Sequence, residues 1–335
     1  MAAQRKGRHR VRPLQGSKAY ALLLQEKMPV LKEVKVKKIL ILSSFLVVVL
    51  VTSLWAKGAG TSGAIVLQQP VGARASGMAE AYTAVGGEVG VVHYNPASLI
   101  SLPGREAAFS YQRGLADDSF MSLLYGQPTS LGVFAGAFSY YTAGDIDLID
   151  LDGNEWTAKA EQDFVILAGF ARKFVENLPM GINLKLVSSR LVEVKTGTAF
   201  AMDLGGLYYT PIEGLAGGLA IRNLGTKLKF LDESDSLPLT ISVGAAYQKP
   251  FGSQKILLSA DFPFLVYEQE FTPAVGFEFD WREMVQGRVG YKFNIDDTGL
   301  ALGMGFSYQN YFINYAFGLA DRLENGHRVS LGVRF

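Results

Sequence analysis

The stretch LTISVGAAYQ, residues 239–248, places Leu239, Ile241, Val243, Ala245 and Tyr247 on one parity and Thr240, Ser242, Gly244, Ala246 and Gln248 on the other. Successive side chains of a β-strand point to opposite faces, so this is a strand with one apolar face and one small or polar face. It is long enough to cross a bilayer as a tilted strand. The same split recurs with Leu300, Leu302, Met304, Phe306 and Tyr308 against Ala301, Gly303, Gly305, Ser307 and Gln309. It recurs again with Phe271, Val275, Phe277, Phe279 and Trp281 against Thr272, Ala274, Gly276, Glu278 and Asp280. A soluble sandwich also alternates, but its solvent face carries Lys, Glu and Thr rather than this much Gly, Ala and Ser. Large apolar side chains on one face and small ones on the other fit lipid outside and a crowded lumen inside.

Working outward, segments of this kind are expected at 105–113, 118–127, 130–143, 157–174, 179–190, 197–210 and 214–224. Seven more follow at 238–250, 254–264, 271–282, 285–294, 299–309, 311–320 and 326–335. The count is about fourteen, an even number, as single-chain bacterial barrels require. Connections alternate in length: 127–130, 175–179, 210–214, 250–254 and 309–311 are tight, whereas 144–156, 191–196 and 225–237 are longer. Short turns are expected at the periplasm and longer loops outside. Tyr140, Tyr141, Tyr208, Tyr209, Phe262, Phe264, Trp281 and Tyr308 fall near strand ends, where an aromatic girdle belongs. The expected fold class is all-β: a transmembrane antiparallel β-barrel in a Gram-negative outer membrane, with an N-terminal plug segment containing short helices. Closing the sheet on itself leaves no edge in lipid.

Composition agrees. Of 335 residues, 37 are Gly and 36 are Tyr or Phe, a membrane-wall composition rather than that of a helical enzyme. With no Cys, a thiolate nucleophile, a disulfide framework and a Cys-based zinc site are excluded; three scattered His argue against a His-rich metal centre, and no cofactor is implied. An outer-membrane hydrolase needs a Ser or Thr nucleophile beside a His base, and the chain beyond residue 56 holds only His93 and His327, so no catalytic residue is assigned. His93 reads as packed or hydrogen-bonded and His327 as a rim residue. Asp145, Asp147, Asp150 and Asp152 miss the EF-hand spacing and read as a solvated hairpin tip.

The near-neutral total, 32 Lys and Arg against 31 Asp and Glu, hides an asymmetry. Residues 1–56 hold 11 bases and two acids, leaving 21 bases against 29 acids in the remainder. Lys32, Lys35, Lys37 and Lys38 precede an apolar run over 39–55, and Ala56 follows. This pattern predicts a secretory signal cut after Ala56, with an uncleaved membrane anchor as the alternative. A signal starting at Met28 has ordinary length, so residues 1–27 read as an over-extended start rather than an arm for nucleic acid. The domain reading is therefore a leader at 1–56, a plug at 57–103 and a barrel at 104–335.

Residues 65–103 lack strict alternation. Ala75, Met78, Ala79 and Tyr82 are expected on one helical face, and Asn95-Pro96 to open a second short helix with Asn as N-cap and Pro at its first position. Within 72–99 stand Ala73-Arg74-Ala75-Ser76-Gly77-Met78, Ala81-Tyr82-Thr83-Ala84-Val85 and Tyr94-Asn95-Pro96-Ala97-Ser98-Leu99. This stretch resembles the N-terminal signature of the PorV/PorQ family. More distantly it is similar to the FadL-type hydrophobic-compound transporters, which share the Asn-Pro-Ala element. Arg222-Asn223-Leu224-Gly225, followed by Phe230, Leu237-Pro238 and Gly244, looks like the family's mid-barrel loop. The final strand, with Val329, Leu331, Val333 and Phe335 on one face, resembles the signal read by the barrel assembly machinery, which names Phe335 as its key residue.

The resemblance implies two activities. FadL-like members pass apolar small-molecule solutes, whereas PorV belongs to type IX secretion and carries cargo. Short connections leave little surface for an elaborate external platform, which favours a plugged conduit, with a secretion-associated docking barrel or a structural outer-membrane protein as alternatives. Implied partners are outer-membrane lipid, the assembly machinery, an apolar solute and secretion-system proteins, with no nucleic acid. Lys185, Asp203, Arg222, Glu278 and Arg288, with Asn183, Asp280, Lys292, Asn314, Arg328 and Arg334, fall on inward parities, since a charge facing lipid costs about 2 to 4 kcal/mol at the midplane. Their mixed signs predict internal ion pairs that brace the plug.

Overall fold

The structure, a computed structural model, describes residues 62–114, 118–149, 153–192, 195–230, 233–295, 299–319 and 326–335. The leader, its cut after Ala56 and the acids Asp150 and Asp152 lie outside the described residues. In chain order the strands are β1 (Glu106–Arg113), β2 (Ser119–Pro128), β3 (Val133–Thr142), β4 (Asp145–Ile149), β5 (Glu155–Lys159), β6 (Glu161–Val175), β7 (Leu178–Leu191), β8 (Lys195–Tyr209) and β9 (Leu215–Gly225). They continue with β10 (Leu228–Phe230), β11 (Glu233–Asp235), β12 (Thr240–Phe251), β13 (Gln254–Leu265), β14 (Glu270–Phe271), β15 (Ala274–Trp281), β16 (Val285–Lys292), β17 (Leu300–Tyr308), β18 (Tyr311–Gly318) and β19 (Gly326–Arg334).

Fourteen of these form the wall. Each pairs antiparallel with the wall strand before and after it, and β1 pairs with β19 from Glu106↔Arg334 to Arg113↔His327, which closes the cylinder. Burial alternates along the strands as the sequence does: Ile241 and Val243 face out, while Thr240 and Ser242 are buried inside. The outward side chains, among them Leu123, Phe138, Leu184, Leu258 and Met304, form an apolar mantle. A closed sheet with an apolar exterior satisfies every requirement of a lipid environment. The protein is a fourteen-strand outer-membrane β-barrel.

Several details depart from the sequence reading. The connection expected at 144–156 continues instead as the hairpin β4–β5, and 225–237 contains the hairpin β10–β11. Strand β15 begins at Ala274 rather than 271, because Pro273 has no N–H to give to the ladder, and Glu270–Phe271 pairs separately with β13. In the aromatic set, Tyr208, Trp281 and Tyr308 are exposed on the outer face, but Tyr141 is buried inside and Tyr209 lines the lumen. Arg222, Asn223, Leu224 and Gly225 are no loop; they are the last residues of β9.

Residues 62–103 run the length of the lumen. Gly63 N–H donates to Ser236 O at the long-loop end, and Phe335 N–H donates to Arg105 O where the segment joins β1 at the short-turn end. The α-helix Ala73–Gly77 stops sooner than its apolar spacing suggests. Ala79 and Glu80 take left-handed backbone, φ 52° and 63°, so Tyr82 belongs to the next turn rather than to that helix face. Ala75, Met78 and Tyr82 are nevertheless all fully buried. The 3₁₀ helix Pro96–Ser101 begins with Pro96 at its first position, and Asn95 Oδ1 accepts from Ala97 N–H at 3.0 Å.

Candidate functional site

The lumen segment is tied to the wall around its circumference. Arg74 donates Nε and Nη2 to the two oxygens of Glu278 on β15, both at 2.8 Å, and Nη1 to Gly86 O at 3.1 Å. Glu278 also receives Arg288 Nε of β16 at 2.5 Å, and Arg288 Nη1 reaches Asn314 Oδ1 at 2.9 Å. Planar guanidinium groups on one carboxylate make a bidentate, charge-assisted junction in a low-dielectric setting. On the adjacent wall strand β13, Asp261 Oδ2 accepts Tyr82 N–H at 2.9 Å and Thr83 N–H at 2.7 Å. Glu106 on β1 accepts Val89 N–H at 2.8 Å and pairs with Arg334 at 2.8 Å. Asn183 on β7 donates to Val92 O at 2.8 Å, and Lys292 on β16 pairs with Glu80. Buried backbone groups of a non-sheet segment need partners, and inward side chains of the wall supply them.

Small wall residues let the segment approach. A Cβ at Gly181 would lie 2.5 Å from Ala97 N, and one at Gly290 would lie 2.3 Å from the Met78 carbonyl carbon. At these two positions backbone meets backbone, which leaves no room for a side chain.

The motif residues divide into three places. Gly77, Met78, Tyr94, Asn95, Pro96, Ala97 and Leu99 are buried inside the lumen segment. Tyr94 is its keystone: the hydroxyl accepts from Val71 N–H and donates to Val71 O, each at 3.1 Å, and the ring meets Tyr82 edge-on at 5.3 Å. Asn95 Nδ2 donates to Thr83 O at 2.8 Å and to Gly206 O of β8 at 3.2 Å.

The second group lies in the wall. Arg222 and Asn223 together face Asp203, a β-bulge between β9 and β8 with Asn223 at φ 63°. The bulge turns two successive side chains inward. Asp203 accepts Asn223 N–H and Asn183 Nδ2, each at 2.8 Å, and pairs with Lys185 Nζ at 2.7 Å; Lys185 also donates to Asn223 Oδ1 at 2.8 Å. Leu224 faces lipid, and Gly225 pairs with Ala201. Arg222 Nη1 donates to His93 O at 3.4 Å, linking this cluster to the lumen segment. Phe335, in the third place, ends the chain exposed beside β1.

Among the described residues two cavities exceed 200 Å³ and no residue lines both, while a third of about 20 Å³ borders Val71 of the one and Arg74 and Phe312 of the other. The cavity at the long-loop end measures about 210 Å³ and is lined by Glu80, His93, Tyr94, Arg222 and Asp261 among others. The cavity at the short-turn end measures about 830 Å³ and is lined by Arg74, Glu278, Arg288 and Arg334, with Ile212 and Phe312. Asp145 pairs with Lys159 at 2.7 Å and Asp147 accepts Thr157 Oγ1 at 2.8 Å, both within the hairpin β4–β5. Among the described residues no cluster of three His, Asp or Glu could hold a metal.

Asp261, Arg74, Glu80 and Glu106 were not singled out from sequence as braces. Parity would have found Asp261 and Glu106, which are acids on inward positions of wall strands; nothing local reveals Arg74 or Glu80, whose partners lie 204 and 212 residues away.

No family description and no curated protein matches the chain in sequence. Among solved structures the chain is similar to the toluene transporter TodX of Pseudomonas putida, with a TM-score of 0.56 and 11% identity over 79% of this chain and 97% of that one. It is similar to the toluene transporter TbuX of Ralstonia pickettii, with a TM-score of 0.55 and 11% identity over 78% and 98% of the two chains. A third likeness is to the monoaromatic hydrocarbon channel CymD, with a TM-score of 0.50 and 11% identity over 83% and 95%. The likeness is one of fold. It shows a shared barrel architecture.

Proposed function

We propose that this barrel is a plugged conduit for small apolar solutes, of PorV/PorQ type, with residues 57–103 as the plug. The carrying observation is the partition of the lumen: one segment, bonded to strands around the ring, separates a chamber at each end. The solved structures of like fold are described as toluene and monoaromatic hydrocarbon channels, which supports an apolar solute. Export would depend on the signal ending at Ala56, and assembly on Phe335.

The test is uptake. A deletion strain carrying the intact gene should take up toluene several-fold faster than the strain without it. Equal rates in the two strains would overturn the conduit. One feature favours a secretion-associated docking role as a second reading: the hairpin β4–β5 stands beyond β3 and β6 and exposes Ile149 and Trp156. Cargo co-purifying with the barrel, and lost on deleting residues 145–159, would support it.

A further inference from the structure

The long-loop cavity is not a hydrocarbon pocket. Apolar side chains cover part of it, Val66, Leu67, Phe120, Val165, Leu265 and Ile295. The lining also carries three bases and three acids whose formal charges balance: Lys185, Arg222 and Lys292 against Glu80, Asp261 and Glu270. A net anion or a net cation therefore gains nothing from the overall charge of the lining.

Three residues of this lining carry a buried polar atom without a hydrogen-bond partner: Arg222 Nε, His93 Nε2 and Asp261 Oδ1. Asp261 is 4% exposed, and its other oxygen is taken by Tyr82 and Thr83 N–H. An unpaired buried donor or acceptor costs about 1 to 3 kcal/mol, so a molecule that satisfies one is favoured by a similar amount. Arg222 Nε can only donate, Asp261 Oδ1 accepts, and a neutral imidazole nitrogen does one or the other according to tautomer. The complement is a head group with both a donor and an acceptor on an apolar body. The volume, about 210 Å³, suits a body the size of a single ring or a short chain.

We infer that the long-loop cavity binds small amphipathic solutes whose head is neutral or zwitterionic and both donates and accepts hydrogen bonds, in preference to bare hydrocarbons or carboxylates. This rests on the conduit reading and narrows its substrate class. The three polar atoms lie beneath the cavity surface; Arg222 Nε and His93 Nε2 would meet the head on rotation of their side chains, Asp261 Oδ1 stays packed beside Gly244 and Thr83, and the apolar body would lie against Phe120, Val165 and Ile295.

The experiment is calorimetric titration of the refolded full mature chain with four probes on one ring: benzamide, toluene, benzoate and benzylammonium. Benzamide should bind at least tenfold more tightly than the other three. Its affinity should fall at least tenfold in Arg222→Met and in His93→Leu, each first shown to run as a folded, heat-modifiable barrel. Lys255→Met, in the other cavity, should leave it unchanged. Tightest binding by toluene, benzoate or benzylammonium, or no binding by any probe, would overturn the inference. So would unchanged benzamide affinity in both variants. Toluene uptake by the deletion strain and its complement is read separately, so a failed titration with intact uptake removes the head-group preference alone, whereas absent uptake removes the conduit.

Discussion

Glu278 is the residue on which most depends. Its carboxylate is buried and receives two arginines, one from the lumen segment and one from the neighbouring strand. Replacing it by Gln leaves Arg74 and Arg288 without an anion inside the barrel, and breaking one side of a buried ion pair costs about 3 to 5 kcal/mol. Glu278→Gln should lower the temperature at which the folded band shifts on a semi-native gel by many degrees. Arg288→Glu should do the same, because it faces one carboxylate with another. The exposed pair Lys255–Glu283 is the control: it is solvated, and Lys255→Gln should change stability by about 1 kcal/mol or less. A Glu278→Gln barrel as stable as the parent would show that Arg74 does not hold the lumen segment.

At the scale of elements, the lumen segment and the wall fit because particular wall positions lack side chains. In Gly181→Val the new Cβ would meet the backbone of Pro96 and Ala97 at 2.5 Å, on a stretch that cannot yield without losing the Asn95 cap. Overpacking of this kind costs about 1 to 3 kcal/mol, and here the strain falls on the segment that closes the pore. Gly181→Val should therefore raise steady ion conductance in a planar bilayer well above that of the parent; an unchanged trace would mean that the segment repacks. Strand β19 allows a separate test. Removing Phe335 should reduce the amount of heat-modifiable barrel without reducing export, and unchanged assembly would remove its role as a signal. The wall strands were legible in the sequence because alternation is a local property, and most of their bounds fall within two or three residues of the expected ones. The bulge at Arg222–Asn223 was not, since two inward residues in succession break the period on which the reading relied. The hairpin β4–β5 was read only as a solvated tip, without its strands, because its apolar residues Ile146, Leu148 and Ile149 are interleaved with acids. Inward parity was enough to name Lys185, Asp203, Glu278 and Arg288 individually. It could not pair them, because which acid meets which base depends on register between strands.

Across the whole molecule, the lumen segment has a direction. Ser62 bonds Glu268 at the long-loop end, and the chain leaves the lumen into β1 at the short-turn end, so the segment crosses the membrane in the sense opposite to β1. If the short turns face the periplasm, as barrel architecture dictates, the beginning of the described chain is presented at the cell surface. The absence of Cys makes this easy to test, because any introduced thiol is unique. Ile149 lies at the end of β4 and Leu131 in the turn between β2 and β3, both well exposed. A membrane-impermeant maleimide should label Ile149→Cys in intact cells, and should label Leu131→Cys only after the outer membrane is permeabilised. The reverse pattern would invert the barrel. It would also place the 210 Å³ cavity at the periplasm, where it would serve release of a solute rather than its capture.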